Sequence, residues 1–158
     1  NYKKYNGFCN KLEAYLTTIG RKDILFILGD CGDLEFVKQL RGYKVLIMGN
    51  HDTGATKYEE VFDEVYEGAL IIGEKIILSH EPVQIPWAFN FHGHNHAQKK
   101  NAPNHMNVCA DVIGYEPAHL NSLLNGGIAS KVYTIHRETI DNATDRKRKR
   151  GGKKIGEK

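Results

Sequence analysis

The chain has 158 residues, 41% hydrophobic and 26% charged, with a formal net charge of +3. That balance fits one soluble domain with a sizeable core, and no apolar run approaches the roughly 18 residues of a membrane span. No signal peptide is visible, and the three cysteines, Cys9, Cys31 and Cys109, form no CxxC pair; this fits a reducing cytoplasm better than a disulfide scaffold.

Phe8, Leu12, Tyr15, Leu16 and Ile19 recur at helical spacing before Gly20. Ile24 to Leu28 is a continuous apolar run that predicts a strand buried on both faces. Asp33 can cap a helix carrying Leu34, Val37 and Leu40, with Gly42 as its stop. Val45 to Met48 predicts a second buried strand, and Tyr58, Val61, Phe62 and Val65 predict another helix. Ala69 to Ile72 and Lys75 to Leu78 flank Gly73-Glu74 as a hairpin would. Phe89 to Phe91 and the neighbourhood of Val108 predict short extended pieces. Pro117 to Leu124 predicts a helix closed by Asn125-Gly126-Gly127, and Val132 to Ile135 a last strand. The expected class is α/β, with two packed mixed sheets and helices outside.

Four strand ends carry polar motifs: Gly29-Asp30-Cys31-Gly32-Asp33, Gly49-Asn50-His51-Asp52, Ser79-His80-Glu81 and Gly93-His94-Asn95-His96. In open α/β sheets ligands gather beyond the carboxyl ends of the strands, so one shared site is expected. A carboxylate such as Asp30 can bridge two cations, and Asn50 offers a neutral amide oxygen. His51 titrates near neutrality and suits a general acid. His94 and His96 can reach two ions about 3.5–4 Å apart. Each piece alone has a plainer reading: Asp33 as a helix cap, Asn50 as a turn residue, His51 as a solvated loop residue, His80 as a hydrogen-bonded structural one. His92 reads as structural. Trp87, Phe89 and Phe91 read either as core or as a surface for a base or an apolar alcohol. Four such pieces in this order point to one metal site.

Taken together these motifs resemble the calcineurin-like metallophosphoesterases, whose pattern runs D-x-H, G-D-x-x-D, G-N-H-D/E, a lone H, then G-H-x-H. The last four stand in order here. Met106 to Val112, with Tyr115-Glu116-Pro117, also looks like the C-terminal part of small bacterial and phage members. The resemblance covers most of residues 23–118. It implies an α-β-β-α sandwich that hydrolyses phosphomono- or phosphodiesters with two divalent ions, Mn²⁺ first, Fe or Zn²⁺ also compatible, and a bridging hydroxide as nucleophile. By motif, Asp30 bridges the ions, Asn50, His80 and His94 complete one shell with it, and His96 serves the other ion. Asp33 would orient His51, and His51 would protonate the leaving oxygen.

No Asp-x-His precedes Asp30, and residues 1–22 hold no His. The expectation is therefore a first strand upstream of Asn1, with residues 1–144 as an N-terminally truncated phosphoesterase-like domain. A natural single-metal or non-catalytic scaffold on the same fold is the competing reading. Residues 145–158 hold eight Lys/Arg against two acids, a balance of +6, so the remaining residues are mildly acidic. That run predicts a disordered tail, which either contacts nucleic acid through phosphate charge, as a nuclease would, or is merely solvated.

Overall fold

The computed structural model describes Ala14, Leu16 and residues 18–97 and 101–132. The expected N-terminal helix, the last strand and the basic tail fall mostly or wholly outside these residues.

Two sheets form. The first holds β1 (Ile24–Ile27), β2 (Tyr43–Ile47) and β3 (Glu64–Tyr66), all parallel, in the order β1-β2-β3. The crossovers carry α1 (Leu34–Gln39) and α2 (Ala55–Glu59). The second holds β4 (Leu70–Ile72), β5 (Ile76–Ser79), β6 (Phe89–His92) and β7 (His105–Asn107), in chain order. β4 and β5 pair antiparallel around Gly73-Glu74-Lys75, with Gly73 at φ 61°, and β5, β6 and β7 run parallel. Short helices α3 (Ala110–Ile113) and α4 (Leu120–Asn125) follow.

Strand alternation sorts the side chains into two cores. Val45 and Ile47 of β2 face the second sheet and pack with Ile76, Leu78, Phe89 and Phe91; Leu120, Leu123 and Leu124 of α4 join them. Leu46, between those two valine and isoleucine positions, is fully buried on the opposite face against Val37 of α1 and Tyr58, Val61 and Phe62 around α2. A two-sheet α/β architecture flanked by helices is thus present, as the sequence predicts.

Four particulars differ. The first sheet is parallel throughout rather than mixed, because every connection between its strands is a crossover through a helix rather than a hairpin. β1 is not buried on both faces: Ile24 is 58% exposed, and β1 pairs only with β2 among the described residues. The helix expected through Val65 stops at the Glu60 cap; Val65 lies in β3, paired to Leu46. Tyr58, Val61 and Phe62 do share one buried face, but the chain turns after them, so the helical spacing outlasts the helix. α1 ends at Leu40, before Gly42, which instead takes φ 89° where an added Cβ would meet the Asp23 carbonyl at 2.7 Å.

Candidate metal centre

All four polar motifs leave carboxyl ends of parallel strands: Asp30 after β1, Asn50 after β2, His80 directly after β5 and His94 after β6. The first two belong to one sheet and the last two to the other, so the site lies across the rim where the sheets meet.

His80 sets the chemistry. It is 6% exposed, and its Nδ1 lies 2.8 Å from the Leu28 carbonyl oxygen. A carbonyl only accepts, so Nδ1 carries the proton and the Nε2 lone pair points into the site. There Nε2 lies 2.9 Å from Asn50 Oδ1, 2.9 Å from His94 Nδ1 and 3.5 Å from Asp30 Oδ2. Asn50 Oδ1 and His94 Nδ1 are 3.2 Å apart. An amide oxygen, two imidazole nitrogens and a carboxylate thus converge; His94 Nδ1 donates to the other two in the absence of an ion, and with its proton on Nε2 it can offer a lone pair as they do. An octahedral ion with bonds of about 2.1 Å has ligand–ligand edges of about 3.0 Å, so these separations fit a cation of that kind. Asp30, His80 and His94 have ligand atoms all within 4.8 Å of one another. The donor set suits a borderline divalent ion.

Two of these ligands sit on uncommon backbone. Asp30 has φ 52° and His94 φ 62°, left-handed values that few non-glycine residues adopt. The turns they make aim both side chains back over the sheet rim.

Glycine lets the two loops of the first sheet touch. A Cβ on Gly29 would lie 2.7 Å from the Gly49 backbone and would run into His80 Nδ1. A Cβ on Gly49 would lie 2.6 Å from the Asp30 nitrogen and 2.9 Å from His80 Cε1. The glycine of each motif therefore makes room for the ligands of its neighbour.

Asp52, to which the sequence reading gave no role, fastens the two loops. It is 8% exposed and accepts hydrogen bonds from Gly49 N at 2.8 Å, Cys31 N at 2.9 Å and the Tyr58 hydroxyl at 3.0 Å. An Asp two residues after Asn50, in a strand-end loop, was signal enough to ask which amides it holds. Asp52→Ala leaves three donors without their acceptor; the expected result is a loss of about 3 kcal/mol in denaturant unfolding, with Asp52→Asn losing less. Unchanged stability would show that solvent satisfies these donors.

His51 is exposed, and its backbone N–H donates to Asp30 Oδ1 at 3.1 Å. It borders a cleft shared with Asp30, Cys31, Leu34, Lys57 and Tyr58. Asp33 does not reach it: the Asp33 carboxylate caps α1 by accepting from Phe36 N at 3.1 Å, and no hydrogen bond joins Asp33 to His51 among the described residues. The expected orienting pair is thus not formed here, and Asp33 has the plainer cap role. Burial, then Asp52 and Asp33, push the Cys31 thiol up to about 11, which disfavours the thiolate.

His96 stands apart from the first cluster. Its Nδ1 is hydrogen-bonded to Asp111 Oδ2 and lies 3.6 Å from Cys109 Sγ. Phe89 and Phe91 are core residues, 2% and 3% exposed, whereas Trp87 is 43% exposed. His92 is fully buried, with Nδ1 on the Gly93 carbonyl, as a structural residue would be. No helix of the described residues is long and apolar enough to cross a membrane.

No protein-family model matches this chain, and no curated protein does. It is similar to a crystal structure from Aquifex aeolicus, the protein of unknown function AQ665, at 26% identity and a TM-score of 0.62. The match covers 75% of this chain and 83% of that one. It supports the two-sheet fold.

Proposed function

We propose that this chain carries the metal centre of a phosphate ester hydrolase of the calcineurin-like metallophosphoesterase kind. The observation that carries the reading is the convergence of Asp30, Asn50, His80 and His94, all possible cation ligands, at four strand ends, with the His80 tautomer fixed by Leu28. Divalent ions held there supply Lewis acidity and neutralise charge on a phosphoryl group. Mn²⁺, Fe and Zn²⁺ all suit mixed nitrogen and oxygen ligands.

The chain's own residues account for the rest. Asp30 carries the anionic charge of the first cluster and would hold a divalent ion through its carboxylate. His51, in the open cleft beside it, is free to give a proton to the leaving oxygen. Lys57 lines the same cleft and adds a positive charge for a phosphate, although its ammonium also lies 4.7 Å over the Tyr58 ring. The cleft is open, which favours small or extended esters.

The test is a screen of the metal-stripped protein against aryl and alkyl phosphomonoesters and phosphodiesters, with Mn²⁺, Fe²⁺ or Zn²⁺ restored. Metal-dependent release of phosphate or alcohol is expected. His51→Ala should lower kcat by roughly 10²–10⁴-fold on alkyl esters and far less on esters of acidic phenols, which need no proton. Equal losses on both substrate types would remove His51 as the general acid. No turnover with any metal would overturn the reading.

A further inference from the structure

We propose that His96, Cys109 and Asp111 form a second cation site, with the Cys109 thiolate as a ligand and a preference for Zn²⁺ or a similarly soft divalent ion. The inference rests on the two-ion reading above, in which His96 and the bridging Asp30 were the second ion's only ligands. It adds two residues that none of the four motifs contains.

Three observations carry it. The ligand atoms of His96, Cys109 and Asp111 all lie within 4.8 Å of one another. Cys109 Sγ is 3.6 Å from His96 Nδ1, and tetrahedral Zn²⁺ with bonds of about 2.3 Å to sulfur and about 2.0–2.1 Å to nitrogen sets that edge at about 3.5 Å. The loop is also built to hold these residues. Asn107, 1% exposed, donates from Nδ2 to the Asn95 carbonyl at 2.6 Å and accepts at Oδ1 from Cys109 N at 2.9 Å. One buried side chain therefore ties the loop bearing His96 to the start of α3, where Cys109 and Asp111 lie. The Tyr115 hydroxyl donates to Asp111 Oδ1, leaving Oδ2 turned toward His96.

The charges balance. A thiolate and a carboxylate neutralise a divalent ion, and the neutral imidazole completes three ligands. On entry the ion takes His96 Nδ1, whose proton moves to Nε2, and displaces the Cys109 thiol proton, which passes to solvent. Cys109 is buried to 9% exposure, while the His96 and Asp111 side chains are 68% and 40% exposed, so the sulfur forms the floor and the fourth position faces outward. Three protein ligands with an open position is the pattern of a zinc site that does chemistry. Sulfur ligation discriminates against Mg²⁺ and Ca²⁺.

Cobalt absorption provides the test. The metal-stripped protein, kept reduced, is titrated with Co²⁺ while near-ultraviolet and visible spectra are recorded. A thiolate-to-cobalt charge-transfer band is expected, abolished by Cys109→Ser with loss of one ion per chain, and retained in Cys31→Ser and Cys9→Ser. Asp111→Asn, at a surface position that should not disturb folding, should weaken the affinity reported by the band at least about tenfold. Stoichiometric Zn²⁺ should erase the band, and excess Mg²⁺ should not. No band in the wild type, or a band that survives Cys109→Ser, overturns the site. His80→Ala separates the two readings: it should remove the ion held by the first cluster and leave the band. An inactive protein that still shows the band has lost the hydrolase reading alone, whereas an active protein without it has lost this site alone.

Discussion

Asp30→Ala should abolish metal-dependent hydrolysis, with a loss of at least about 10²–10³-fold, and should release the ion held by the first cluster. Asp30 is the only anion among the four converging ligands; Asn50, His80 and His94 are neutral when they coordinate. Removing it leaves three neutral dipoles to hold a divalent charge. The carboxylate also accepts the His51 backbone N–H, so the loop that presents the acid loses an anchor at the same time. Calorimetric metal titration beside the hydrolysis assay checks both effects. Asp30→Asn keeps the shape and removes the charge, so it should resemble Asp30→Ala in metal affinity yet unfold like the wild type. Wild-type activity in Asp30→Ala would sink the assignment of the centre.

Gly49→Ala should be as damaging as loss of a ligand, although it adds only a methyl group. That methyl would lie 2.6 Å from the Asp30 nitrogen and 2.9 Å from His80 Cε1, and it would overlap Asp30 Oδ1. Two of the three obstacles belong to backbone or to a ring pinned by the Leu28 carbonyl, so they cannot swing aside. Either the loops separate or the two ligands leave the centre. We expect a stability loss of about 3 kcal/mol or more and metal affinity too weak to measure by titration. Gly54→Ala is the control for added bulk: its Cβ meets nothing within 4 Å, although its φ of 75° adds a modest backbone cost. If Gly49→Ala binds metal as the wild type does, the close approach of the two loops is not what shapes the site.

What the sequence made legible follows from the range of the interactions involved. β1, β2 and β5 announce themselves as apolar runs and β6 as a short piece with two aromatic residues, and the residues just beyond them are placed by the strands they follow. This is why Asp30, Asn50, His80 and His94 could be grouped before any geometry was known. β3 could not be read, because Glu64-Val65-Tyr66 is three residues long and continues the spacing of the preceding helix. Its strand state comes from hydrogen bonding to β2, a tertiary fact. Asp33 shows the opposite failure. Its place in a family-like motif suggested a partner in His51, while its local surroundings, directly before the helix that starts at Leu34, already favoured a cap. Asp52 and Asn107 were harder to read for another reason: each reaches a backbone group of a distant loop, the Cys31 N–H for Asp52 and the Asn95 carbonyl for Asn107, and nothing in one loop's sequence says which other loop lies beside it.

The hydrogen bond from His80 to the Leu28 carbonyl has a mechanical meaning as well. The interior between the sheets is apolar, and apolar contact resists separation far better than it resists sliding, since it has no preferred direction. A directional bond from the end of β5 to the end of β1 opposes that shear. Four acceptors drawn from both sheets around one ion would oppose it more strongly. The rim proposed to hold a cation is therefore also a place where one sheet is tied to the other.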